Sequence, residues 1–127
     1  MAIVKSYKEL LVWQKGIALV SKVYIATENF PRREIYGLTD QIRRAVVSIP
    51  SNIAEGFGRH TKPEMSRYVQ ISLGSLYELE TQLILANNLG YLPTMQFAEL
   101  SSLISELGAM LQSFGYNLKN PKVPNQN

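Results

Sequence analysis

The chain reads as all-α, an antiparallel up-down four-helix bundle, on three observations. Apolar residues recur at steps of three and four over four long stretches, the spacing that lines one face of a helix. Almost nothing shows the two-residue alternation of a half-buried strand. Helix punctuation falls between the stretches, with Ser6 and Thr61 as starts and Pro31, Gly90, Pro93 and Pro121 as stops. The length of 127 residues and a 46% hydrophobic content suit one domain, residues 1–118, with a single core.

The first helix is expected from Ser6, where Ser6 and Glu9 form a capping box that satisfies otherwise orphaned amides. It runs to about Glu28, with Leu10, Trp13, Ile17, Val20 and Tyr24 on the stripe that faces the core, and Phe30-Pro31 ends it. The third helix starts at a second capping box, Thr61 with Glu64. It carries Met65, Val69, Leu76, Leu79 and Leu83 until Gly90 and Pro93 stop it. The fourth begins near Thr94 with Phe97, Leu100, Leu103, Ile104, Leu107, Leu111, Phe114 and Leu118 on one side. Lys119 suits its C-terminus, and Pro121 forbids continuation. Residues 119–127 are polar and proline-rich, and they are expected to form a flexible tail.

The second helix contains the least ordinary stretch, SIPSNIAEGFGR at 48–59. Leu38, Ile42, Val46, Ile49, Ile53 and Phe57 keep one helical register on both sides of Pro50, so the segment is predicted to be one helix, kinked at that proline. Proline removes an amide donor and crowds the Val46 carbonyl, a defect of about 3 kcal/mol in a helix interior. Ser48, Ser51 and Asn52 are near enough to supply compensating hydrogen bonds. The opposite face holds Arg44, Ser48, Ser51, Asn52, Glu55 and Arg59, most of them short. Gly56 and Gly58 are expected where a backbone approaches closely or the helix frays. Ser48, Pro50, Ser51, Asn52, Glu55 and Gly56 are therefore candidates for a close helix or subunit contact, against a plain solvated face with Glu55 and Arg59 as an i,i+4 pair.

The third helix is apolar on more than one side. Leu73, Tyr77 and Ile84 lie on one flank of its stripe and Ile71, Leu85 and Leu89 on another. This surplus points to a homo-oligomer, because each helix of a four-helix monomer has a solvent face.

AVVSIPSNIAEGFGR at 45–59, preceded by FPRREIYGLTDQIRR at 30–44 and followed by SLGSLYELETQL at 72–83, resembles a family of four-helix-bundle proteins. They are encoded within intervening sequences of bacterial large-subunit ribosomal RNA genes. LVWQK at 11–15 is similar to that family's first helix, and the likeness spans roughly residues 7–92. The resemblance implies an antiparallel bundle assembled into a ring, most plausibly a homopentamer, with no known enzymatic activity. It also implies kinship with the accessory variability proteins of diversity-generating retroelements, which bind nucleic acid and a reverse transcriptase.

Charge placement gives separate support for a nucleic-acid partner. Net charge is +3, but residues 1–67 hold 11 Lys and Arg against 6 Asp and Glu, a net of +5. Lys8, Lys15 and Lys22 are spaced by seven, which would line them up on the first helix opposite Trp13, with Lys5 as an extension. Arg32 and Arg33 follow in the next connection. Arg59, His60, Lys62 and Arg67 cluster around the junction of the second and third helices. Such patches attract phosphates without reading sequence, and repetition around a ring makes them multivalent. The alternative is a structural or protein-interaction ring whose lysines serve solubility.

Enzyme chemistry finds little footing. Cysteine is absent and His60 is the only histidine, so neither a zinc site nor a Cys-His nucleophile can be assembled from one chain, and no cofactor is expected. Glu78 and Glu80, two apart on a helix, point to different faces. The N-terminal sequence lacks the long apolar run of a secretory signal, so a cytoplasmic protein with no membrane role is expected.

Overall fold

The computed structural model describes residues 4–121. They form α1 (Leu11–Thr27), α2 (Leu38–Phe57), α3 (Lys62–Asn88) and α4 (Thr94–Lys119), with short 3-10 turns at Tyr7–Glu9 and Arg32–Glu34. No strand occurs among the described residues. α1 packs on α2, α2 on α3, α3 on α4, and α4 closes on α1, while neither diagonal pair approaches closely. The helices thus surround one core as a four-helix bundle. Residues 122–127, most of the expected tail, lie outside the described residues, as do residues 1–3.

Leu19, Val23, Ile42, Val46, Ile49, Ile53, Val69, Leu76, Leu79, Leu83, Ile104, Leu107 and Leu111 form the core, each at most 3% exposed. Burial of a side chain of this size contributes about 1.5 to 3 kcal/mol. Most of the expected stripes of α2, α3 and α4 lie in or against this core, while Phe57 and Met65 at their ends are half-buried outside it.

The first helix departs from expectation in two ways. The Ser6–Glu9 capping box forms, with Lys8 N donating to Ser6 Oγ at 3.2 Å and Ser6 N to Glu9 Oε2 at 3.4 Å. It closes only the Tyr7–Glu9 turn. Leu10 is extended (φ −74°, ψ 126°), and α1 starts afresh at Leu11. The reason is tertiary: the Tyr7 ring packs edge-on against Trp13 at 5.3 Å and Phe57 at 6.5 Å, which holds the segment against α2 rather than on the axis of α1.

The second departure is the buried face, made of Val12, Gly16, Leu19, Val23, Ala26 and Thr27. Ile17 and Tyr24, expected inside, are 41% and 40% exposed. α1 is apolar nearly all round, so spacing alone does not single out its inner face.

α2 runs unbroken through Pro50. Pro50 is buried against α1 at Gly16, where a Cβ would stand 3.3 Å from Pro50 Cβ. Thr61 caps α3 by accepting from Glu64 N at 3.3 Å. At its other end Gly90 adopts φ +79°, so that Tyr91 N donates back to the Ala86 carbonyl at 2.9 Å.

The two connections at that end are clasped together. Glu34 accepts from Leu38 N at 3.1 Å, filling the vacant N-cap of α2, and from the Tyr91 hydroxyl at 3.0 Å. Phe30 packs on the Tyr91 ring at 5.7 Å, and the Arg33 guanidinium lies 5.8 Å from its centroid. Gly37 makes room for this, since a Cβ there would lie 2.8 Å from Glu34 Oε1.

Candidate nucleic-acid interface

The structure sorts the basic residues into three settings. Lys15 and Lys22 lie on α1, but each reaches across to α4: Lys15 Nζ is 2.5 Å from Glu106 Oε1 and Lys22 Nζ is 2.9 Å from Glu99 Oε1. Lys8 belongs to the 3-10 turn, so the expected line of three lysines on one helix does not form. The heptad spacing presumes a continuous helix, and Leu10 interrupts it. The partners were invisible to sequence spacing because Glu99 and Glu106 are distant in the chain.

Arg32 and Arg33 occupy the clasped end, both exposed, with Arg33 donating weakly to the Tyr91 hydroxyl at 3.5 Å. Nearby, Arg43 turns inward. Its Nε donates to Thr27 Oγ1 at 3.0 Å and its Nη2 to the Tyr24 carbonyl at 3.4 Å, while the guanidinium sits 4.5 Å from the Tyr24 centroid. It thereby satisfies end groups of α1 and suits the negative end of that helix. Arg44 pairs with Asp40 at 2.9 Å.

The third setting is the α2–α3 junction. Arg59 pairs with Glu55 at 2.9 Å, hydrogen-bonds the Tyr68 hydroxyl and stacks 4.9 Å from that ring's centroid. His60, Lys62 and Arg67 are exposed and have no ion-pair partner among the described residues. The contact of Tyr7 with Phe57 places Lys8, also exposed and without an ion pair among the described residues, beside the same end. Glu9 is engaged with the backbone amides of Lys5 and Ser6, and Glu64 is the acidic neighbour in the first turn of α3.

The small-residue face of α2 meets α3 on one side and α1 on the other. Ser48 Oγ and Ser75 Oγ of α3 are 2.9 Å apart, and Asn52 Nδ2 donates to both the Ser48 carbonyl and Ser48 Oγ at 2.8 Å. Ser72 of α3 donates to the Ile49 carbonyl at 3.0 Å. These bonds serve Ser48 and Ile49; none reaches the Val46 carbonyl that Pro50 leaves without its donor. Gly56 is buried where a Cβ would lie 2.7 Å from Tyr68 Cβ. Ser51 and Glu55 stay exposed.

Sequence spacing did not single out a groove on the outer side of α3 and α4, lined by Gln70, Gly74, Tyr77, Gln112, Tyr116 and Lys119. The available signal was the pair of tyrosines, 46% and 66% exposed, placed off the core stripes of both helices.

Among the described residues no group of three or more His, Cys, Asp or Glu is gathered to hold a metal ion, and no helix is long and apolar enough to cross a membrane.

A solved structure from Bacteroides thetaiotaomicron VPI-5482, titled a protein with unknown function from the S23 ribosomal protein family, superposes with a TM-score of 0.77 at 20% identity. The match covers 84% of this chain and 96% of the other, and at that identity it shows a shared fold. No curated protein matches the chain. The model of the 23S rRNA-intervening sequence protein family matches residues 8–113, through all four helices of the bundle. By that match the chain belongs to the 23S rRNA-intervening sequence protein family.

Proposed function

We propose that this protein is a non-enzymatic, homo-oligomeric bundle that binds nucleic acid through the cations at its α2–α3 end. The observation that carries the reading is the set of exposed cations at one end, Lys8, Lys62 and Arg67 with His60 beside them, which have no ion pair among the described residues. A phosphate meets such groups without displacing a carboxylate. At Lys15 and Lys22 it has to compete with Glu106 and Glu99. One protomer offers too few contacts for tight binding, and a closed ring multiplies them.

Assembly is supported by apolar surface that the bundle leaves uncovered. Ile71, Ile84 and Leu85 of α3 and Leu89 just past its end are each at least 40% exposed, and Leu11 and Ile25 of α1 are 55% and 64% exposed. Large exposed apolar side chains concentrated on two helices mark contact surfaces. The resemblance noted above favours five subunits, so light scattering should return about five times the chain mass of 14.3 kDa. A single chain mass across micromolar concentrations refutes the oligomer.

Polynucleotide titrations at several salt concentrations test the binding. Each phosphate contact contributes about 0.7 to 0.9 to the slope of log affinity against log salt. Lys8→Gln with Lys62→Gln should flatten the slope, whereas Lys15→Gln with Lys22→Gln should leave it nearly unchanged. The same exposed apolar surface favours a second reading, an interaction scaffold without a nucleic-acid role. That reading takes over if the wild type binds no polynucleotide at low salt.

A further inference from the structure

The α3–α4 groove has a volume of about 470 Å³, within the range of sites that take a small organic group. Its walls include two tyrosine rings that the core does not claim. Tyr77 is 46% exposed beside the fully buried Leu76, and Tyr116 is 66% exposed beside the buried Gly115. Gln112 Nε2 donates to the Tyr77 hydroxyl at 2.7 Å, which fixes the ring from the neighbouring helix. Gln70 leans toward α4, its Nε2 3.6 Å from where a Gly115 Cβ would lie, and it makes no hydrogen bond among the described residues.

Gly74 opens the space between them. A Cβ there would meet nothing within 4 Å, so no packing partner explains a glycine inside a 27-residue helix, where alanine is the better helix former. Lys119 stands at the groove, and exposed Arg67 lies one turn before Gln70 on α3.

We propose that this groove receives an unpaired base of single-stranded nucleic acid. The tyrosine faces stack on the base, the amides of Gln70 and Gln112 meet its edge, and Lys119 and Arg67 hold the flanking phosphates. Stacking on aromatic side chains is how proteins hold single strands with little regard to sequence. The proposal rests on the polyanion reading above and adds a strand preference to it, because a duplex keeps its base faces stacked inside.

Fluorescence anisotropy with a labelled oligouridine, a duplex RNA of equal length and inorganic polyphosphate tests it at fixed salt. Oligouridine should bind several-fold more tightly than the duplex. Tyr116→Ala should weaken oligouridine binding on the order of tenfold and leave polyphosphate binding unchanged. Gly74→Leu projects into open space and should keep or raise thermal stability while weakening oligouridine binding similarly. Equal affinity for both RNAs, or full oligouridine binding by both variants, overturns the groove and leaves the polyanion reading standing. A changed oligomer mass for Gly74→Leu also overturns it, by making the groove a subunit contact. Failure of all three probes to bind the wild type removes the polyanion reading itself, and this proposal with it.

Discussion

Where α2 meets α3 the helices touch through their smallest residues: Gly56 lies under Tyr68, Ser48 faces Ser75 across 2.9 Å, and Ser72 donates into the α2 backbone at Ile49. Where α1 meets α4 the bridging is done by long charged side chains, Lys15 to Glu106 and Lys22 to Glu99, each of them 40% to 58% exposed. A groove of about 460 Å³, lined by Leu10, Leu11, Met110 and Phe114 among others, opens along the same seam. The first seam depends on fit at short range, with Gly56 and Ser72 buried and Ser48 and Ser75 half-buried. The second depends on screened charges at the edge of the solvent. The comparison teaches that the same bundle joins one pair of helices by close packing of small residues and adds solvent-exposed ion pairs at the rim of another, over the shared core.

Mutations should respond accordingly, most strongly at the close seam. Gly56→Leu places a side chain where Tyr68 Cβ would be 2.7 Å from the new Cβ, and the contact is with the root of Tyr68 rather than its movable end. A loss of about 3 kcal/mol, or failure to fold, is expected in denaturant unfolding, despite leucine's better helix propensity. An unchanged midpoint would show that α2 and α3 can slide apart freely.

Ser72→Ala should cost less, about 1 kcal/mol, since it removes one fully buried hydrogen bond and leaves the Ile49 carbonyl its helical partner. Urea midpoints with an unaltered slope would check this. Lys15→Gln with Lys22→Gln should cost the least, at most about 1 kcal/mol for each pair, and the difference from wild type should vanish in high salt. A larger, salt-independent loss would mean that the α1–α4 seam is as tightly built as its counterpart.

The sequence showed the close seam better than the loose one, for a physical reason. Helix caps, proline stops and apolar periodicity are local, and they located α2, α3 and α4 together with core residues such as Ile49, Leu76 and Leu107. The inner face of α1 was legible only in part: Leu10, Trp13 and Val20 pack against the core as expected, but Ile17 and Leu19 are equally apolar and only tertiary packing selects Leu19. The fate of Lys15 and Lys22 was not legible either. A lysine's spacing says where its Cβ points, while its ion pair depends on which helix lies alongside. At the candidate site, the cations of the α2–α3 junction were visible as a cluster in the chain. The tyrosine groove joins α3 to α4, and its local signature was only a tyrosine off the core stripe of each helix, which does not say that the two line one groove.

The Glu34 carboxylate ties together two connections whose hydrogen-bonded residues, Glu34 and Tyr91, stand 57 positions apart in the chain. It also closes the first turn of α2 at Leu38 N. Connections ordinarily open one by one, and their amides exchange with water faster than those of helices. Here the carboxylate that accepts from the Leu38 amide through one oxygen is fastened to Tyr91 in the far half of the molecule through the other, so the opening of that amide is expected to report on both halves. Slow exchange at that position, matched by slow exchange at the Tyr91 and Leu92 amides, makes this end of the bundle a single cooperative unit. Among the described residues the α2–α3 end shows no carboxylate bridge of this kind; its ties are Arg59 with Glu55 and Tyr68 and the packing of Tyr7 on Phe57.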